Sequence, residues 1–182
     1  MKIALVQLNY VIGDIEGNTA KILAEIAKAK EAKTDIAVFS ELAICGYPPK
    51  DLLDYPSFIE RCEIGLAIIC EATEGIAVLV GGPAWTGLQK GKKLYNSAFF
   101  FADKKLLRRI DKTLLPTYDI FDEYRYFQPN EVFECVEYMG ERIAVTICED
   151  LWNLDDDKLY KVTPMDELYG QKPSVMINLS GS

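Results

Sequence analysis

The sequence predicts an α/β fold built on a mixed sheet or sheets. Three observations predict it. Largely apolar runs of strand length recur at residues 3–8, 35–40 and 76–80, the pattern of strands covered on both faces. Amphipathic stretches of helix length lie between them, as in βαβ units. From residue 94 the texture changes to paired runs joined by short turns, the signature of hairpins. Parallel pairs from the first half and antiparallel pairs from the second make a mixed class.

Residues 3–8 read as a buried strand. Gly13, Asp14 and Gly17 mark a loop. Asn18 is placed to cap a helix over residues 19–33, with Ile22, Leu23, Ile26 and Ala29 on one face. Residues 35–40 (DIAVFS) are the second strand, so a parallel pair with a right-handed crossover is expected. Residues 41–54 form a loop or short helical segment broken by Gly46, Pro48 and Pro49. Pro56 opens the next helix, residues 57–73. Phe58, Ile59, Cys62, Leu66, Ile69 and Cys70 make its buried stripe, which assigns Cys62 and Cys70 to the core. Residues 76–80 are a third buried strand, ending at Gly81-Gly82-Pro83.

Residues 94–101 and 105–111 make a hairpin. Residues 112–129 are long, irregular and rich in Tyr, Phe and Asp. A loop of that length is usually functional or disordered, and its aromatics argue against disorder. Residues 132–138 and 142–147 form a second hairpin around Met139-Gly140. Residues 155–169 are polar and helical in part, and 174–179 (SVMINL) are the last strand. No repeat, low-complexity tract or linker divides the chain, so one domain is expected.

The net charge of -8 argues against a nucleic-acid surface, whose phosphate contacts need clustered Lys and Arg. No apolar run approaches transmembrane length. The cysteines are Cys45, Cys62, Cys70, Cys135 and Cys148, an odd number with no short pair. Met1-Lys2 leads straight into an apolar run without a secretory signal, so a cytoplasmic protein with free thiols is expected. Histidine is absent. That removes Ser-His and Cys-His catalysis and most zinc sites, and no metal site is expected.

Functional groups of open α/β sheets gather at the carboxyl ends of strands. Glu41 follows the second strand, Lys112 follows residues 105–111, and Cys148 follows residues 143–147 (IAVTI). Read alone, Cys148 is either a small core residue before an acidic turn or a nucleophile at a strand end. Glu41 and Lys112, read singly, are ordinary surface charges. Read together, the three supply a histidine-free thiol chemistry. A thiol of ordinary pKa, about 8.5, needs a base, and Glu149 and Asp150 disfavour the thiolate further. Glu41 takes the proton during attack and returns it to an amide leaving group. Lys112 and the Glu149 backbone N–H face the oxyanion.

Residues 39–49 (FSELAICGYPP), 111–116 (DKTLLP) and 147–152 (ICEDLW) resemble the nitrilase, or carbon–nitrogen hydrolase, superfamily, in which these motifs occur in this order. More narrowly, ELAICGYPPKDLL, LLPTYDIFDEYRYF and ICEDLWN look like the glutaminase domain of glutamine-dependent NAD synthetases. The resemblance implies a four-layer αββα sandwich. It implies Cys148 as nucleophile, Glu41 as base and then acid, and Lys112 as the oxyanion's partner. Glu123 falls where the superfamily often has a second, orienting glutamate, with Glu149 in support. Tyr118, Trp152, Ser180 and Ser182 are the implied substrate contacts; for the two aromatics, loop packing is the alternative.

The implied reaction turns glutamine and water into glutamate and ammonia through a thioester, with no cofactor in this domain. Ammonia then passes to a synthetase domain of the same protein, which uses ATP and magnesium to amidate deamido-NAD. A homo-oligomer is also implied. A free-standing amidase or carbamoylase, or a catalytically silent module, are the alternatives. Ser40 departs from the family's usual Pro before the glutamate. The superfamily domain continues past the NLSGS strand, and no P-loop or SGGxDS-type motif is present. Residues 1–182 are therefore expected to be a truncated carbon–nitrogen hydrolase (glutaminase) domain, incomplete at the C-terminus and without a synthetase domain.

Overall fold

The computed structural model describes residues 1–153 and 160–181. Two sheets pack face to face. The larger has five strands, in the order β1 (Ile3–Leu5), β2 (Ile36–Val38), β3 (Ala77–Trp85), β4 (Leu94–Ala102) and β5 (Lys105–Asp111). β1, β2 and β3 are parallel, and β3, β4 and β5 antiparallel. The smaller sheet runs β6 (Val136–Tyr138), β7 (Glu141–Ile147) and β8 (Val175–Leu179), antiparallel and then parallel.

Strand alternation sorts the core into two layers. Ile36, Val38, Ala77, Leu79 and Phe100 face the second sheet, against Val145, Ile147 and Ile177. Ala37, Phe39, Val78 and Val80 face α1 (Ile15–Glu31) and α2 (Pro56–Glu71). Both sets are apolar, which is why these strands read as continuous hydrophobic runs. The described layers run helix, sheet, sheet, as three of the four expected in an αββα sandwich. After the second sheet's β7 the described helix is α4 (Pro164–Tyr169), which packs through Leu168. Residues 155–159 of the expected polar helix lie outside the described residues.

Several sequence expectations are corrected. Only residues 3–5 of the first strand pair, and Leu5 is 80% exposed. β1 is an edge strand with β2 alone beside it, so burial on both faces fails. α1 begins before the expected position because Asp14 caps it, accepting from Gly17 N at 3.0 Å. Asn18 lies inside the helix. Its side chain accepts from Val11 N at 2.9 Å and donates to Val11 O at 2.8 Å, so it is occupied by the preceding loop. Cys70, near the end of α2, is half-buried rather than core.

Both hairpins turn where the sequence predicts. Asp103 and Lys104 have φ of 48° and 61°, and Met139 and Gly140 have 50° and 78°, the doubly positive φ that matches strand twist in two-residue loops. The second hairpin is shorter than expected. Asn130 bonds both the N–H and the carbonyl of Val132, and this local pairing replaces a ladder there. The irregular segment 112–129 contains a short helix, α3 (Glu123–Tyr126), and its Phe127 bridges to Leu94.

The most informative correction is at Gly81-Gly82-Pro83. β3 does not end there but runs on to Trp85. The glycine serves contact, not termination. A Cβ on Gly81 would sit 2.3 Å from Leu42 N and 2.6 Å from Ser40 O, so the chain carrying Glu41 lies directly on β3. Gly81→Ala is expected to destabilise the fold by about 3 kcal/mol, the upper range for overpacking a core. Urea denaturation measures it; an unchanged midpoint would show that residues 40–42 can lift away freely.

Candidate active site

Each of the three reactive residues sits where a strand gives way to a turn. β2 ends at Val38, Phe39 N still bonds Leu79 O at 2.8 Å, and Glu41 then begins a turn. Lys112 follows β5 directly, and its N–H donates to Asn96 O at 2.8 Å, continuing the ladder. Cys148 is the first residue after β7 and has φ of 46°. That left-handed conformation costs a non-glycine residue on the order of 1 kcal/mol and persists only where neighbours hold it.

Asp150 is one such neighbour. Its Oδ2 accepts from Ile147 N at 3.3 Å, and its Oδ1 from Thr113 N at 3.0 Å and Leu114 N at 2.7 Å. One carboxyl group therefore ties the Cys148 turn to the segment leaving Lys112. Burial pushes the Asp150 carboxyl up to about 7, against the pull of those N–H groups and Lys112.

At the centre is a buried ammonium between two buried carboxylates. Lys112 Nζ donates to Glu41 Oε1 at 2.7 Å and to Glu123 Oε1 at 2.8 Å. Asn96 Nδ2 donates to Glu41 Oε1 at 2.8 Å and to Glu123 Oε2 at 3.3 Å. Tyr47 OH donates to Glu123 Oε1 at 2.8 Å. Burial alone would lower the Lys112 pKa, but Glu41 and Glu123 outweigh it and hold it above its ordinary value. Burial raises Glu123, more than its bonds to Lys112 and Tyr47 recover.

The thiol joins this cluster through consecutive residues after β8. Ser180 Oγ donates to Cys148 Sγ at 3.7 Å, and Gly181 N donates to Glu41 Oε2 at 3.1 Å. Burial, then the Glu41 carboxylate, pushes the Cys148 thiol up to about 11, against Lys112 and Ser180. At pH 7 about one thiol in 10⁴ would be ionised.

Glu149 is buried beside the thiol and accepts from Tyr118 OH at 2.9 Å and Tyr160 OH at 3.2 Å. Burial and the Glu149 acceptor hold the Tyr118 hydroxyl up at about 12, so it remains a donor. Tyr118 also meets Phe121 edge-on at 5.6 Å; it is both loop packing and part of the site. Trp152 is 60% exposed. Ser182 lies outside the described residues. The structure thus gathers Glu41, Lys112, Cys148, Glu123, Glu149, Tyr118 and Ser180 on one seam between the sheets. It adds Asn96, Tyr47 and Gly181, which the sequence reading missed, and it makes Asp150, read from sequence only as a charge beside the thiol, a tie between two segments. Only Asn96 left a signal: a polar amide inside the apolar run LYNSAFFF, where strands disfavour Asn.

The arrangement can do specific chemistry. A neutral thiol beside a carboxylate can lose its proton as it attacks a carbonyl, and a fixed ammonium can face the resulting oxyanion. Among the described residues no group of three or more His, Cys, Asp or Glu could hold a metal ion. No described helix is long and apolar enough to cross a membrane.

The carbon–nitrogen hydrolase family matches over residues 2–155. The chain is 43% identical over 187 residues to a glutamine-dependent NAD(+) synthetase of Synechocystis sp., covering 99% of this chain and 34% of that protein. It is 35% identical to the glutamine-dependent NAD(+) synthetase of Thermotoga maritima, covering 100% of this chain and 30% of the relative. The chain thus spans about a third of the length of these curated relatives. Its structure is similar to that of a glutamine-dependent NAD+ synthetase from Acinetobacter baumannii, solved with ADP, at a TM-score of 0.87 and 32% identity over 99% of this chain and 32% of that one. The fold is also that of a nitrilase-superfamily amidase from Nesterenkonia sp. AN1, at a TM-score of 0.80 and 18% identity over 99% of this chain and 64% of that one. By sequence, by sheet architecture and by the meeting of its strand-end residues, the chain belongs to the carbon–nitrogen hydrolase family.

Proposed function

We propose that this chain hydrolyses the side-chain amide of glutamine through a thioester on Cys148. The carrying observation is the Lys112 ammonium held between Glu41 and Glu123, with Cys148 joined to it through Ser180 and Gly181. The glutamine assignment is supported by the likeness to glutamine-dependent NAD synthetases.

In this reading Cys148 Sγ bonds to the amide carbon as its proton moves to Glu41. The C=O electron pair moves to oxygen, which faces Lys112 Nζ and the Glu149 N–H. The pair then returns, the C–N bond breaks, and Glu41 gives its proton to the departing nitrogen as ammonia. Water then attacks the thioester carbon as its proton moves to Glu41, the C–S bond breaks, and Glu41 returns that proton to Cys148 Sγ as glutamate leaves. Glu123 orients Lys112 and takes no proton. Tyr118, Trp152 and Ser180 form the side on which the rest of the substrate sits. The ammonia goes to a synthetase domain of the same protein, where ATP and magnesium serve the amidation of deamido-NAD.

The test is release of ammonia and glutamate from glutamine, run beside simple ω-amides and N-carbamoyl compounds. Glutamine should be cleaved in preference. Cleavage of another amide with glutamine ignored would move the chain to the amidase or carbamoylase reading.

The thiol's raised pKa gives a second test. Alkylation of Cys148 by iodoacetamide should show a plateau near neutral pH, where Glu41 accepts the proton, and a further rise toward about 11 as the free thiolate forms. Glu41→Gln should remove the plateau and leave the rise. A plateau that persists in that variant would give the proton to another group.

A further inference from the structure

We infer that Asn96 is a positioning residue that decides which oxygen of Glu41 takes the proton. The inference rests on Glu41 serving as base in the reading above. Asn96 sits in β4, buried, and its Nδ2 touches both carboxylates. The amide cannot be turned over. Its carbonyl would then face two carboxylate oxygens, and acceptors repel acceptors. In the orientation that serves both acids, Asn96 Oδ1 is buried and accepts no hydrogen bond from the described residues. A buried acceptor without a donor is unfavourable, since it has given up its water and gained nothing in return. The fold tolerates that loss at the residue that bridges the two acids.

The donors on Glu41 show what the bridge achieves. Oε1 accepts from Lys112 Nζ and Asn96 Nδ2, which occupies both of its in-plane lone pairs. Among the described residues, Oε2 accepts from Gly181 N alone. Gly181 follows Ser180, whose hydroxyl is on Cys148 Sγ. The oxygen left able to bind a proton is therefore the one on the thiol's side. Asn96 does this without adding charge. A second cation in its place would favour ionised Glu41 too strongly for it to hold a proton, and a carboxylate would repel both acids.

The test uses the whole chain, with iodoacetamide alkylation of Cys148 as the first readout and glutamine hydrolysis as the second. Asn96→Leu keeps the approximate volume and removes the donor. The plateau of alkylation near pH 7 should fall about tenfold, the loss of one hydrogen bond to a charged group, and its acidic limb should move to higher pH. Asn96→Asp sets a third carboxyl against the two acids, so its plateau at neutral pH should also fall and its acidic limb should move to still higher pH, with the rise toward about 11 kept. A purely structural role would leave the acidic limb where it is. If Asn96→Leu fails to fold, the Asp variant decides alone. An unchanged pH profile in whichever variants fold overturns the inference. If the wild-type chain leaves glutamine intact while the alkylation profiles behave as stated, the glutamine reading fails and the role of Asn96 stands.

Discussion

Cys148→Ser is expected to lower glutamine hydrolysis by a factor of about 10⁴ or more, the scale on which removing a covalent nucleophile is felt. A serine hydroxyl is a far weaker acid than a thiol, and Glu41, already bonded to Lys112, Asn96 and Gly181, is a weak base for it. Ammonia release measures the loss. A glutamine-like electrophile, such as a chloroketone analogue, gives the structural counterpart. It should label Cys148 and leave Cys62, which is fully buried on α2. Cys70 and Cys135 are the meaningful competitors, because both are half-buried. Labelling that survives Cys148→Ser would place the nucleophile elsewhere.

Lys112→Met has the second large expected effect, and it falls on stability as well as activity. The ammonium is the shared partner of two buried carboxylates. Removing one member of a buried charge cluster costs about 3–5 kcal/mol, because the other charges stay buried without compensation. Activity should fall about 10²–10³-fold from the missing oxyanion partner. The stability loss should depend on pH, with a sign fixed by Glu123. Burial already holds this group above its ordinary range, and Lys112 is the chief opposing influence. Without Lys112 the folded value rises further, so the variant is most nearly normal in acid and weakens as pH rises through that value. Lys112→Met combined with Glu123→Gln should recover part of the stability and none of the activity. Urea midpoints at acid and neutral pH measure both; equal losses at the two pH values would mean the carboxylates are not ionised in the folded protein.

The sequence determined where most strands, the two long helices and both hairpin turns lie, though not all of their ends, because those follow from periodicities of two and 3.6 residues and from turn chemistry within a few positions. It also placed Glu41, Lys112 and Cys148 at strand ends, since each closely follows a run of strand length. The tertiary structure alone decided what surrounds them. Asn96 reaches Glu41 across 55 positions, Tyr47 reaches Glu123 across 76, and Gly181 reaches Glu41 across 140. No local pattern records a partner that far away. The same holds for Gly81, whose missing side chain answers to Ser40 and Leu42 rather than to its own strand. Local sequence fixes which backbone a segment can adopt, whereas a close approach or a shared hydrogen bond is fixed by the other segment, and only packing brings that segment near.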